Sequence, residues 1–130
     1  MCPDNNEPLS VSAYAFLGDG VWGLLVRKYL AVKLRSKAGE LHEMSSKMVS
    51  ASYQAAASKI IMEHLTEEEK SVFIRGRNTH TPHTPKNQSK SDYRAATGLE
   101  ALFGKLYIDE NSQRIEELFN IIINGESSEV

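Results

Sequence analysis

Apolar residues recur at helical spacing in segment after segment of this chain, and no convincing run alternates apolar and polar with period two, so the pattern predicts an all-α fold. The longest segment follows Ser10, a good helix N-cap. It runs through VSAYAFLGDGVWGLLVRKYLAV with Tyr14, Leu17, Val21, Leu24 and Leu25 on one stripe. Gly18, Gly20 and Gly23 fall within six positions of it. Inside a helix each costs about 1 kcal/mol against alanine, so the cluster predicts that something packs very close to this helix. The alternative is a helix broken near Gly20.

A polar stretch, Ser36 to Glu40, leads to a second helical region from about Leu41 to Leu65, whose Ala55 to Ala57 cluster permits tight contact. Thr66 and Glu69 make a capping box that opens a helix reaching about Gly76. Asn78 to Ser91, NTHTPHTPKNQSKS, is too rich in Pro, Thr, Ser and Asn for a regular element and reads as a long loop. Two more helices follow, about Asp92 to Ile108 and about Ser112 to Ile123. A chain of 130 residues with one apolar period throughout reads as a single domain, 1–130, with 1–9 and 124–130 as flexible tails.

The sole cysteine, Cys2, excludes an intramolecular disulfide and a cysteine-based zinc site. No stretch has the length of an apolar membrane span, and the first eight residues lack the pattern of a signal peptide, so a cytoplasmic location is expected. The net charge of −2 gives no bulk attraction to nucleic acid, but its distribution is uneven. Five basic residues and no acid lie between Lys70 and Ser91, whereas from Leu106 onward six acids face Arg114 alone. Such a basic arm suits a phosphate backbone or, more blandly, a solvated loop.

Two acids stand among apolar neighbours. Asp19 is the only charge between Glu7 and Arg27, and Glu100 the only one between Arg94 and Lys105. A buried carboxylate is costly, so each must face solvent, meet a cation or take up a proton. A hard divalent ion such as Mg²⁺ would accept both. Alternatively, Asp19 caps a helix broken at Gly18 and Glu100 pairs with an arginine. His80 and His83 lack a third ligand and read as loop residues; His42 and His64 read as helix-end or packing residues.

The ordered blocks FLGDGVWGLLVRKYL, LHEMSSKMVSA, RGRNTHTPHTPKN and YRAATGLEALFGKLYI resemble those of Mini-ribonuclease III, the short bacterial branch of the ribonuclease III family, over about Ser12 to Leu118. The resemblance implies the all-α ribonuclease III endonuclease fold, a helical homodimer without a separate double-stranded RNA-binding domain. It implies Mg²⁺-dependent cleavage of double-stranded RNA to a 5′-phosphate and a 3′-hydroxyl, maturing the ends of the large-subunit (23S) ribosomal RNA precursor. A large-subunit ribosomal protein or the pre-ribosome would be a further partner. The family's catalytic, metal-binding acids fall on Asp19 and Glu100, the two already singled out. Arg75, Arg77 and Asn78 in RGRN, Lys86 and Asn87 in PKN, and Arg94 become RNA-binding candidates. Ser12, Ala15 and Thr97 stand where larger relatives carry further acids, and Ser52 and Tyr53 follow VSA where the short branch tends to place a lysine. That thin acidic set keeps open a non-catalytic RNA- or ribosome-binding protein of the same fold, and more remotely a helical adaptor.

Overall fold

A computed structural model describes residues 8–35, 37–79 and 89–128, and six α-helices account for most of them. Helix α1, Val11–Leu34, is unbroken through all three glycines. Ser10 caps it by accepting from the Ala13 amide at 3.1 Å, and Arg35, with φ of 51°, ends it in the left-handed region. The second predicted helix is instead two: α2, Ala38–Met48, and α3, Ala51–Ile61, followed by a single 3-10 turn at Met62–His64. The break falls at Ser50, whose extended backbone and side chain, accepting from the Tyr53 amide at 3.2 Å, start a new helix.

Helix α4, Glu67–Arg77, opens on the predicted capping box, with both reciprocal hydrogen bonds formed. Helix α5, Lys90–Ile108, begins two residues before its expected start because Ser89 caps it from the Asp92 amide. Helix α6, Ser112–Ser128, carries on beyond Ile123. No described helix is long and apolar enough to cross a membrane.

Helix α5 is the centre of the fold. Leu99, Ala101, Leu102 and Phe103 are fully buried where it meets α1, α3, α4 and α6. Trp22 of α1 fixes the core around it: its ring meets Phe103 and Phe119 edge-on at centroid distances of 5.5 and 5.4 Å, and its Nε1 donates to the Met48 carbonyl at 2.9 Å. Trp22 and Tyr14 are thus core residues, and Tyr29 and Tyr53 pack half-buried against the same core. A second lock joins α4 to α6. The Arg114 guanidinium donates to both Glu69 oxygens at 2.8 Å and to the His64 carbonyl at 2.7 Å, drawing the Glu69 carboxyl below its ordinary range.

Candidate active site

The site begins with missing side chains. A Cβ at Gly18 would lie 1.6 Å from the Glu100 carbonyl oxygen, and one at Gly104 would lie 1.9 Å from that of Tyr14. Only glycine at both points lets α1 and α5 cross backbone against backbone. The close packing expected of the glycine cluster therefore belongs to Gly18, partnered by Gly104. Gly20 and Gly23 meet nothing within 4 Å among the described residues, and for them that expectation is corrected.

The crossing sets Asp19 beside Glu100. Asp19, following Gly18, is exposed, whereas Glu100 is half-buried on the inner side. Burial pushes the Glu100 carboxyl up to about 8, helped by the charge of Asp19 and a hydrogen bond between the two side chains. Neither alternative drawn from spacing holds: α1 is continuous through Gly18, and Glu100 meets an acid and an amide rather than an arginine.

The amide is Gln54 of α3, which the sequence reading passed over. Only 2% exposed, it donates from Nε2 to Glu100 Oε2 at 3.3 Å and to the Val49 carbonyl at 3.1 Å. Because the Val49 carbonyl can only accept, the amide is oriented with its nitrogen toward the acid. Its Oε1 is buried with no hydrogen-bond partner among the described residues, at a cost of about 1–3 kcal/mol. The one signal available in the sequence was an amide set among the small residues Ala51, Ala55, Ala56 and Ala57.

Glycines also position the basic segment. A Cβ at Gly76 would lie 2.9 Å from Gly98 Cα and 2.8 Å from Ala101 Cβ, so the end of α4 lies flat on the turn of α5 that leads to Glu100. Arg75, Arg77 and Asn78 flank that contact and are exposed. Arg94 is exposed on α5, six residues and so about 9 Å of helix before Glu100. Lys86 and Asn87, like His80 and His83, lie outside the described residues. His42 is exposed on α2 and His64 closes the 3-10 turn; neither joins the two acids.

Beside Asp19 the outer face of α1 is open. Phe16 is 86% and Leu24 68% exposed, and Gly20 and Gly23 lie between them.

Residues 12–111 match the ribonuclease III domain family. Mini-ribonuclease 3 of Staphylococcus aureus is 40% identical over 84% of this chain and 83% of its own length. Its counterpart from Enterococcus faecalis is 38% identical over 95% of this chain and 96% of its own. Among solved structures, the X-ray crystal structure of a Fusobacterium nucleatum protein superposes with a TM-score of 0.83 at 32% identity, over 95% of this chain and 99% of that one.

Proposed function

Because this chain belongs to the ribonuclease III family, we propose that it is an endoribonuclease that cuts double-stranded RNA at the Asp19–Glu100 pair with Mg²⁺, and that its substrate is the precursor of large-subunit (23S) ribosomal RNA. The observation that carries this reading is the pairing itself. Two carboxylates are held together by a glycine crossing that admits no side chain, in a place where the charge of Asp19 opposes the ionisation of Glu100.

The donor set fits the ion. Both groups are hard oxygen donors, and among the described residues no third His, Cys, Asp or Glu joins them. Mg²⁺ keeps several waters and is commonly held by one or two carboxylates together with substrate phosphate oxygens. Bound there, it would neutralise charge building on the scissile phosphate and make an attacking water more acidic. Asp19, exposed, meets solvent and RNA; Glu100, recessed behind it, is the fixed member, and a cation between them would favour the ionised form of Glu100 at neutral pH. In the hydrolysis the water oxygen joins phosphorus, the bond to the 3′ oxygen breaks, and the departing oxygen takes the proton, leaving a 3′-hydroxyl and a 5′-phosphate.

RNA is gripped through basic and amide side chains. Arg75, Arg77 and Asn78 stand at the end of α4 and Arg94 on α5, with Lys86 and Asn87 in the segment between, suited to the phosphates and 2′-hydroxyls that a double-stranded stem presents. A homodimer would place two such centres on the two strands. The reading also assigns the protein to the cytoplasm, with the pre-ribosome or a large-subunit ribosomal protein as a partner.

The test is cleavage of a labelled precursor stem with Mg²⁺ or with chelator, using wild type, Asp19→Asn and Glu100→Gln. Metal-dependent cutting by wild type, with both variants binding the stem and leaving it whole, is the expected result. A wild type that binds and never cuts would make the chain a non-catalytic RNA- or ribosome-binding protein.

A further inference from the structure

Gln54 is out of place as a packing residue. It is 2% exposed in the helical core, and it keeps a buried Oε1 that has no hydrogen-bond partner among the described residues. What it does instead is directional. The Val49 carbonyl, at the turn between α2 and α3, takes one N–H of the amide, and the other N–H points at Glu100 Oε2. Val49 and Gln54 are five residues apart, on either side of the Ser50 cap, so the amide is held by the same break that starts α3. The contact to Glu100 spans 46 residues of sequence and joins α3 to α5 at the site.

We propose that Gln54 is a positioning residue for the metal centre: its amide fixes one oxygen of Glu100 and thereby sets the direction in which the carboxylate meets a cation shared with Asp19. This rests on the metal-dependent reading above. A ligand carboxylate held by a buried hydrogen bond need not be ordered when the ion arrives, and loss of such a supporting contact commonly lowers metal affinity or activity 10- to 100-fold. Gln54 touches neither substrate nor ion, so its effect passes through Glu100.

The experiment is titration of Mn²⁺ into the metal-free protein, followed by the paramagnetic resonance signal of the free ion, for wild type, Gln54→Leu and Gln54→Met. It is run alongside thermal unfolding, RNA affinity in chelator, and kcat and KM with Mn²⁺. The expected result is Mn²⁺ affinity weakened roughly tenfold or more in both variants. Their melting temperatures should stay close to that of wild type, because removal of the unpaired Oε1 offsets the Val49 carbonyl left without its donor. RNA affinity in chelator and KM should be unchanged, with the loss in kcat. Either variant, if folded, suffices for the comparison. Mn²⁺ affinity equal to wild type overturns the assignment, as does a lower kcat that follows only a lower melting temperature. A wild type that takes up no Mn²⁺ overturns the metal reading and this assignment together, whereas wild-type uptake matched by Gln54→Leu overturns the assignment alone.

Discussion

At the scale of single residues, the Glu100 carboxyl ties the site to stability. Burial, then Asp19, raises it from an ordinary 4.5 to about 8. Between those values the folded chain holds a proton that the unfolded chain has lost, so each increment of pH favours unfolding. The contribution is whole below the unfolded value and is lost as pH rises through the folded one, at a cost of a few kcal/mol. In chelator, wild type should therefore melt at steadily lower temperature as pH climbs from roughly 5 to 9, while Glu100→Gln melts with a much shallower slope. Identical slopes in the two proteins would assign the effect to other groups. Added Mg²⁺ should restore wild type at the alkaline end and do little for the variant. Both acids were readable from sequence because isolated charges in apolar helices are conspicuous. Gln54 was not, because an amide in ASYQAAAS looks like an ordinary solvated position until α3 is laid against α5.

At the scale of elements, the glycines separate into two kinds that sequence alone does not distinguish. Gly18→Ala would drive a methyl into the Glu100 carbonyl, and the helices would have to part. It should cost about 2–3 kcal/mol and misplace Asp19, with activity falling further than stability. Gly20→Ala meets open space and should stabilise the isolated chain by up to about 1 kcal/mol, as chemical denaturation would show. Spacing announced that α1 comes close to something; which glycine does so depends on the rotation of α1 against α5, a tertiary quantity. The break at Ser50 stayed hidden for a similar reason, since apolar periodicity from Met44 to Ile61 runs across it and Ser50 is one of several serines nearby. The capping box at Thr66 was plain from sequence, but its tie to Arg114, 45 residues away from Glu69, was not. Arg114→Ala leaves the buried Glu69 carboxylate without its partner and should cost about 2–4 kcal/mol near neutral pH. Because the Glu69 carboxyl is drawn below its usual value, that loss should shrink as pH falls through the folded value.

At the scale of the whole molecule, the face that α1 turns outward follows from the same helix that builds the site. Phe16, Asp19, Gly20, Gly23 and Leu24 lie on one side of it, the two large apolar residues exposed and the glycines between them uncovered. Exposed apolar side chains flanking bare backbone form a surface that another helix can approach closely, and an identical α1 related by a two-fold axis would match it residue for residue. Such a pairing would bring two Asp19–Glu100 centres to a common face, whereas on the proposed reading one chain would supply one such centre and would cut one strand per encounter. Phe16 is 86% exposed and supplies no oxygen to the pair, so a change there tests assembly rather than the ligands themselves. Phe16→Glu should leave helix content intact and halve the mass seen by light scattering at micromolar concentration. The cleavage product should change from a double-strand cut to a nick. A wild type that already scatters as a monomer yet cuts both strands of one stem at once would remove the dimer from the mechanism and leave the Asp19–Glu100 site to act alone.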